Sequence, residues 1–202
     1  MANTQIPGFI PVSRGGTTVE CVRMRVLTNN TTAIFKGDAL DNVSTGDAIV
    51  TATADGEVYS VQWGGASYWQ ASTGERLERK YLPATTLYTG TLNDEFDASY
   101  VYGVDDMVHT KFKASVDEAI VITDQGINYQ MVLGTGSTTT GLSAHELDAT
   151  SRGTTATHPW RVLEFVIGDP KSDPELADAA VFCKANAGKR DPALEPGGSL
   201  GT

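Results

Sequence analysis

Cysteine is nearly absent from this chain: Cys21 and Cys183 are its only two among 202 residues. Two thiols make no disulfide framework. Both lie in apolar, strand-like runs, where a free cysteine behaves as a small buried hydrophobe. A bridge between them stays open, and a reduced protein assembled in the cytoplasm is the expectation. Histidine is scarce as well, with only His109, His145 and His158. No His-x-x-x-His, Cys-x-x-Cys or Asp-x-Asp-x-Asp-Gly pattern occurs, so the ligand spacings of zinc and calcium sites are missing. Asp94, Glu95 and Asp97, and the pair Asp105-Asp106, read as solvated acidic loops. No metal and no cofactor is expected.

Catalytic patterns are missing too. There is no Gly-x-Ser-x-Gly elbow, and no local motif joins a nucleophile to a base and an orienting group. Gly134–Gly141 resembles a phosphate-binding loop, yet Leu142 stands where that motif needs Lys followed by Ser or Thr. The chain is therefore read as non-enzymatic, with an uncharacterised hydrolase the weakest of the readings.

Positive charge is in short supply. Fifteen basic side chains face 25 acidic ones, for a net charge of −10, and the only basic clusters are Arg79-Lys80 and Lys189-Arg190. Nucleic-acid binding neutralises phosphates with clustered Lys and Arg, so no direct nucleic-acid partner is expected. The acidity instead favours solubility, or complements a basic partner. No run approaches the roughly 18 apolar residues of a membrane helix. Met1-Ala-Asn-Thr-Gln also lacks the basic stretch and apolar core of a signal peptide. A soluble protein without a membrane partner is the expectation.

What is present is β-structure. Short β-rich segments separated by Gly-Asp and Thr-Gly turns run from Thr18–Val26 to Ala179–Asn186. With 21 glycines and 40% hydrophobic residues, the chain suits many strands and many turns. The predicted fold is all-β, a barrel or sandwich of many short strands with one or two single-turn helices. Residues 1–16 are an extended N-terminal arm, 17–187 a single β-rich domain, and 188–202 a flexible C-terminal tail.

Several local expectations follow. Thr18–Leu27 is the first clear strand; its apolar phase shifts between Cys21 and Val22, which suggests a β-bulge or a strand apolar on both faces. Phe35-Lys-Gly-Asp-Ala-Leu40 is echoed by Gly46-Asp-Ala-Ile49, as two strands entered through similar turns. Tyr59, Val61 and Trp63 alternate until Gly64-Gly65 breaks the run, and Ser72–Tyr81 is loop-like. Thr85–Leu92 returns to β character, and Asn93–Asp97 is an acidic loop. Val101–Val104, Met107–Lys113, Ala119–Thr123, Ile127–Leu133, Trp160–Ile167 and Ala179–Ala185 are further strands. Ser143–Glu146 fits a capping box, and Asp173-Pro174-Glu175 the start of a short helix.

Two groups are candidate contact residues. In the arm, Ile6, Phe9, Ile10 and Val12 flank Pro7 and Pro11, which forbid helix, so the arm either folds back on its own domain or anchors a neighbouring molecule. Trp63, Tyr68 and Trp69 cluster around Gly64-Gly65, either as core or as an aromatic binding surface.

The order and texture of residues 18–186 resemble the decoration, or cement, proteins of tailed-bacteriophage heads. The likeness is carried by Phe35–Leu40, Tyr81-Leu-Pro-Ala84, Gly126-Ile-Asn-Tyr129, the run Gly134–Asp148 and Trp160-Arg-Val-Leu163. The resemblance implies a non-enzymatic β-protein on the outer surface of the virion head. Its partners would be the major capsid protein and neighbouring copies of itself, often as a trimer. It brings no catalytic residues with it. On this reading, deleting residues 1–12 leaves the fold intact and weakens attachment. The alternative is a carbohydrate- or receptor-binding module of a phage tail or fibre, using the aromatics around Trp63 and Trp69.

Overall fold

The structure is a computed structural model, and it describes residues 3–12, 18–26, 32–42, 49–70, 75–84, 99–166 and 173–186. The fold is all-β. In chain order the strands are β1 (Ile10–Val12), β2 (Cys21–Arg25), β3 (Ala39–Asn42), β4 (Ile49–Thr51), β5 (Ser60–Gln70) and β6 (Glu75–Arg79). They continue as β7 (Tyr100–Val104), β8 (Lys111–Val116), β9 (Asn128–Val132), β10 (Glu146–Gly153), β11 (Trp160–Phe165) and β12 (Ala179–Ala185). A single 3₁₀ turn, Ile122–Asp124, is the only helical element among the described residues.

Strands β8, β10, β9, β11 and β12 follow one another in a sheet that the β12–β8 pairing closes into a five-stranded barrel. β8 and β10 run parallel, with Leu147 opposite Val116; β1 adds to β8 antiparallel. Alternation explains the interior: Phe112, Ala114 and Val116 of β8 and Val181 and Cys183 of β12 point inward and are buried. Phe9 closes this core. Its ring stacks on Trp160 with centroids 4.0 Å apart, while Phe112 meets Trp160 edge-on at 5.4 Å. Such aromatic pairs add stabilisation beyond their buried area.

The second sheet runs β2-β7-β5-β3-β4, with β6 on the free half of β5. Its residues serve two cores. Ala39, Val58, Val61 and Val104 join the barrel core, whereas Met24, Val26, Leu40, Ala66, Tyr68 and Val101 form a second cluster. This division explains the phase shift around Cys21. β2 pairs β7 in unbroken register from Cys21 to Arg25, so there is no bulge. Val19 packs on the first core, and Met24 and Val26 belong to the second.

Other expectations are corrected by backbone detail. Gly64-Gly65 bends β5 without ending it: the register with β7 shifts between Gln62 and Gly65, and Gly65 takes φ +107°. A Cβ on Gly65 would meet the Arg79 carbonyl oxygen at 2.8 Å, so glycine lets β6 approach. Glu75–Arg79, read as loop, is strand. Ala119–Thr123 is not a strand, and Met107–His109 is a turn from which β8 starts only at Lys111. Ser143–Glu146 forms no helix, because Ser143 Oγ accepts the His145 amide two residues on instead of capping a turn. Asp173–Leu176 closes as a turn without continuing into helix. The expected Thr85–Leu92 strand, the 93–97 loop and the 188–202 tail lie outside the described residues.

Candidate interaction surface

Antiparallel partners share one face of a sheet, so the registers assign the barrel's outer wall. Ile10 lies opposite Lys113 and Val12 opposite Lys111; across the next ladder Phe182 lies opposite Lys113, and Lys184 opposite Arg161. Lys111, Arg161 and Glu164 are exposed; Ile10, Val12, Lys113, Phe182 and Lys184 are half-buried. Lys111 Nζ sits 2.6 Å from Glu164 Oε1 and 5.7 Å from the Phe182 ring centroid. Among the described residues, four cations and one acid therefore share this wall with three apolar side chains, on a chain whose net charge is −10. The exposed Lys111–Glu164 pair contributes little stability by itself.

Beside this wall lies a groove of about 510 Å³. β11, β12 and the turns at Met107 and Gly126 line it, with Arg161 and Lys184 at its polar side. The Arg161 Nε donates to the Gly126 carbonyl at 3.1 Å, which fixes the guanidinium over the turn.

The arm residues divide between inside and outside. Ile6 and Phe9 are buried in the chain's own fold, with Phe9 fully enclosed, which corrects their reading as anchors for a neighbour. Burying Phe9 against Trp160 removes its apolar area from water within the molecule, so no outside partner is needed to cover it. Only Ile10 and Val12 keep an outward, half-exposed position.

The three aromatics do not converge either. Tyr68 belongs to the second core and is 4% exposed, which removes it from any aromatic surface. Trp63 packs against the first core, with Lys36 Nζ 4.0 Å from its ring centroid, and lines a shallow recess of about 360 Å³ with Glu78 and Arg79. Trp69 lies opposite Arg76 on the other face of the second sheet. There the Arg23 and Arg76 guanidiniums sit 4.6 and 5.3 Å from the Tyr100 ring.

One polar group invisible to motif reading is buried. Asp38 and His145 are 2% and 3% exposed, with Oδ1 and Nε2 3.4 Å apart. Asp38 Oδ2 accepts the Phe35 amide at 2.7 Å, while its Oδ1 is buried with no hydrogen-bond partner among the described residues. Burial pushes the Asp38 pKa up and the His145 pKa down, each towards its neutral form. His145 Nδ1 accepts the Ala39 amide at 3.4 Å. The Ser143 hydroxyl accepts the His145 main-chain amide at 3.0 Å, which holds the histidine's backbone beside the carboxylate. Gly8 and Gly37 close over the cluster so tightly that a Cβ on Gly8 would meet the Ser143 Cβ at 2.5 Å. The arrangement is a polar pin between β3 and the approach to β10.

Both cysteines are free thiols; Cys183 is fully buried inside the barrel, and burial pushes its pKa far up. No cluster of metal-ligating side chains occurs among the described residues. Compared with known proteins, the chain matches no family model, no curated protein and no solved structure.

Proposed function

We propose that this chain is a non-enzymatic capsid decoration protein, which binds the outer surface of a phage's major capsid shell and stabilises it. The observation that supports the reading is the barrel's outer wall. On a strongly acidic chain it gathers Lys111, Lys113, Lys184 and Arg161 around the half-exposed Ile10, Val12 and Phe182. Apolar side chains ringed by cations favour a protein surface with acidic patches, because steering and burial then act at one place. A ligand that binds only the assembled shell adds its binding free energy to that state. Many copies on a symmetric lattice multiply modest contacts. The partners would be the major capsid protein and further copies of this chain, and the location the outer head surface of the virion.

The test is cosedimentation of the purified chain with particles assembled from the major capsid protein alone. Wild type is expected to saturate the particles and raise their disruption temperature. An Ile10→Asp/Val12→Asp variant with an unchanged melting curve is expected to bind at least tenfold more weakly, from the loss of two buried apolar contacts. Equal binding by both proteins would remove the outer wall from the interface, and no binding by wild type would end the capsid reading.

The carbohydrate-binding alternative has Trp63 in its recess as its support. It is the weaker reading, because the Lys36 ammonium already covers the ring face on which a sugar would stack.

A further inference from the structure

We propose that the groove between β11, β12 and the Met107 turn captures a peptide segment of a partner protein, one in which a large apolar side chain is flanked by carboxylates. The inference deepens the reading of this chain as a protein-binding molecule and rests on it.

Three observations converge on that chemistry. The groove's volume, about 510 Å³, lies in the range of sites that enclose a ligand. Its lining includes the core residues Val58, Met107 and Val162 and the half-buried Leu163, so its floor is apolar. Second, among the described residues its only charged lining residues are Arg161 and Lys184, and none of them is an acid. These two cations lie directly opposite one another on adjacent strands, an arrangement that costs stability while both are charged. Among the described residues Lys184 has no ionic partner, and the Arg161 bond to a backbone carbonyl leaves its charge uncompensated. A carboxylate set between them would relieve the repulsion and gain two charge-assisted hydrogen bonds.

Third, the register of β11 on β12 shifts between Val162 and Glu164, which leaves Leu163 as an extra residue in the strand. Bulges of this kind re-aim side chains beside binding sites, and Leu163 lines the groove. Position then favours a peptide over a free small anion. Lys184 and Phe182 lie on the same face of β12, so the groove adjoins the wall proposed to meet a protein surface. A partner covering that wall would bring its own chain to the groove.

The test is selection of a random dodecapeptide display library on the intact chain, with the Lys184→Glu chain as a parallel target. Enrichment of sequences that place Asp or Glu beside Phe, Leu or Trp is expected, with roughly tenfold lower retention on Lys184→Glu. A synthetic enriched peptide should shift the amide resonances of Gln125, Arg161, Leu163 and Lys184 in the wild-type protein. This mapping holds even if the variant folds poorly. Enrichment of basic or purely polar peptides would overturn the proposal, as would shifts confined to other residues or equal retention on a folded Lys184→Glu chain. So would saturable shifts at the groove with dodecanoate where no peptide is enriched. A chain that selects such peptides yet ignores capsid particles leaves this inference standing and removes the capsid assignment; particle binding without peptide selection does the reverse.

Discussion

Glu146 opens β10 with its Oε1 buried and without a hydrogen-bond partner. Burial first, then the hydrogen bond and charge of Asp178, and last the charge of Asp117 push its pKa from the ordinary 4.5 to about 7; a hydrogen bond from Gln5 pulls the other way. Asp178 is held at φ +61°, a left-handed conformation that few non-glycine residues adopt. A carboxyl whose pKa is raised by folding binds its proton more tightly in the folded state. Its favourable contribution is therefore complete below pH 4.5 and is lost as the pH rises from 4.5 through about 7. Allowing for the partial exposure of Glu146, the penalty at neutral pH is roughly 1–2 kcal/mol. Glu146→Gln is expected to raise stability at pH 7.5 by that amount and to flatten the stability profile between pH 5 and 7, measured by urea unfolding at both ends. Asp178→Asn tolerates the same backbone and removes the coupled charge, so it should flatten the profile in the same direction. An unchanged slope in both variants would show that Glu146 is ionised in the folded protein at pH 5.

Among the elements, the first strand and the segment before it carry more of the fold than their composition suggests. Asn3 Nδ2 donates to the Asp173 and Ala177 carbonyls at 2.7 and 2.8 Å, and its Oδ1 accepts the Asp173 amide. The Ile6 amide donates to the buried Ser115 Oγ at 2.7 Å, and Phe9 fills the barrel core. Phe9→Ala is accordingly expected to cost about 3–5 kcal/mol, and deletion of residues 1–12 to unfold the barrel at ambient temperature, read by near-ultraviolet circular dichroism. Read from the sequence alone, the arm is dispensable to folding, the opposite outcome. Its prolines argued correctly against helix, but nothing local reveals that Phe9 stacks on Trp160, a contact spanning 151 residues of chain. β11 and β12 were legible because their inward positions alternate with outward ones between clear turns. β6 was not: Glu75, Arg76, Glu78 and Arg79 are exposed on a strand that, among the described residues, pairs only with β5, and Leu77 alone points to a core. Charged side chains protect such an edge from further pairing, and the same charges make it read as loop. The Asp38–His145 pin was hidden for a similar reason. Its partners lie 107 residues apart, and Ser143 two residues before the histidine imitated a helix cap.

At the scale of the molecule the question is how an acidic chain would approach the capsid surface proposed as its partner. A net charge of −10 repels an acidic surface at long range, while the barrel wall with Lys111, Lys113, Arg161 and Lys184 attracts it locally. Salt screens both contributions within about 8–10 Å at physiological strength, and their balance can be read from the sign of the salt dependence. If the wall leads the encounter, association with particles should slow as salt rises from 50 to 300 mM, with dissociation little changed. Arg161→Glu should then lower the association rate and flatten its salt dependence, since a rim charge acts mainly on encounter. The opposite trend, association that quickens with salt, would mean that global repulsion dominates and that Ile10, Val12 and Phe182 supply the attraction after contact. Stopped-flow measurement of both proteins across the salt series separates the two cases. In the second case the charge reversal would leave the rate unchanged within about twofold, because a contact led by apolar burial is insensitive to one exposed cation.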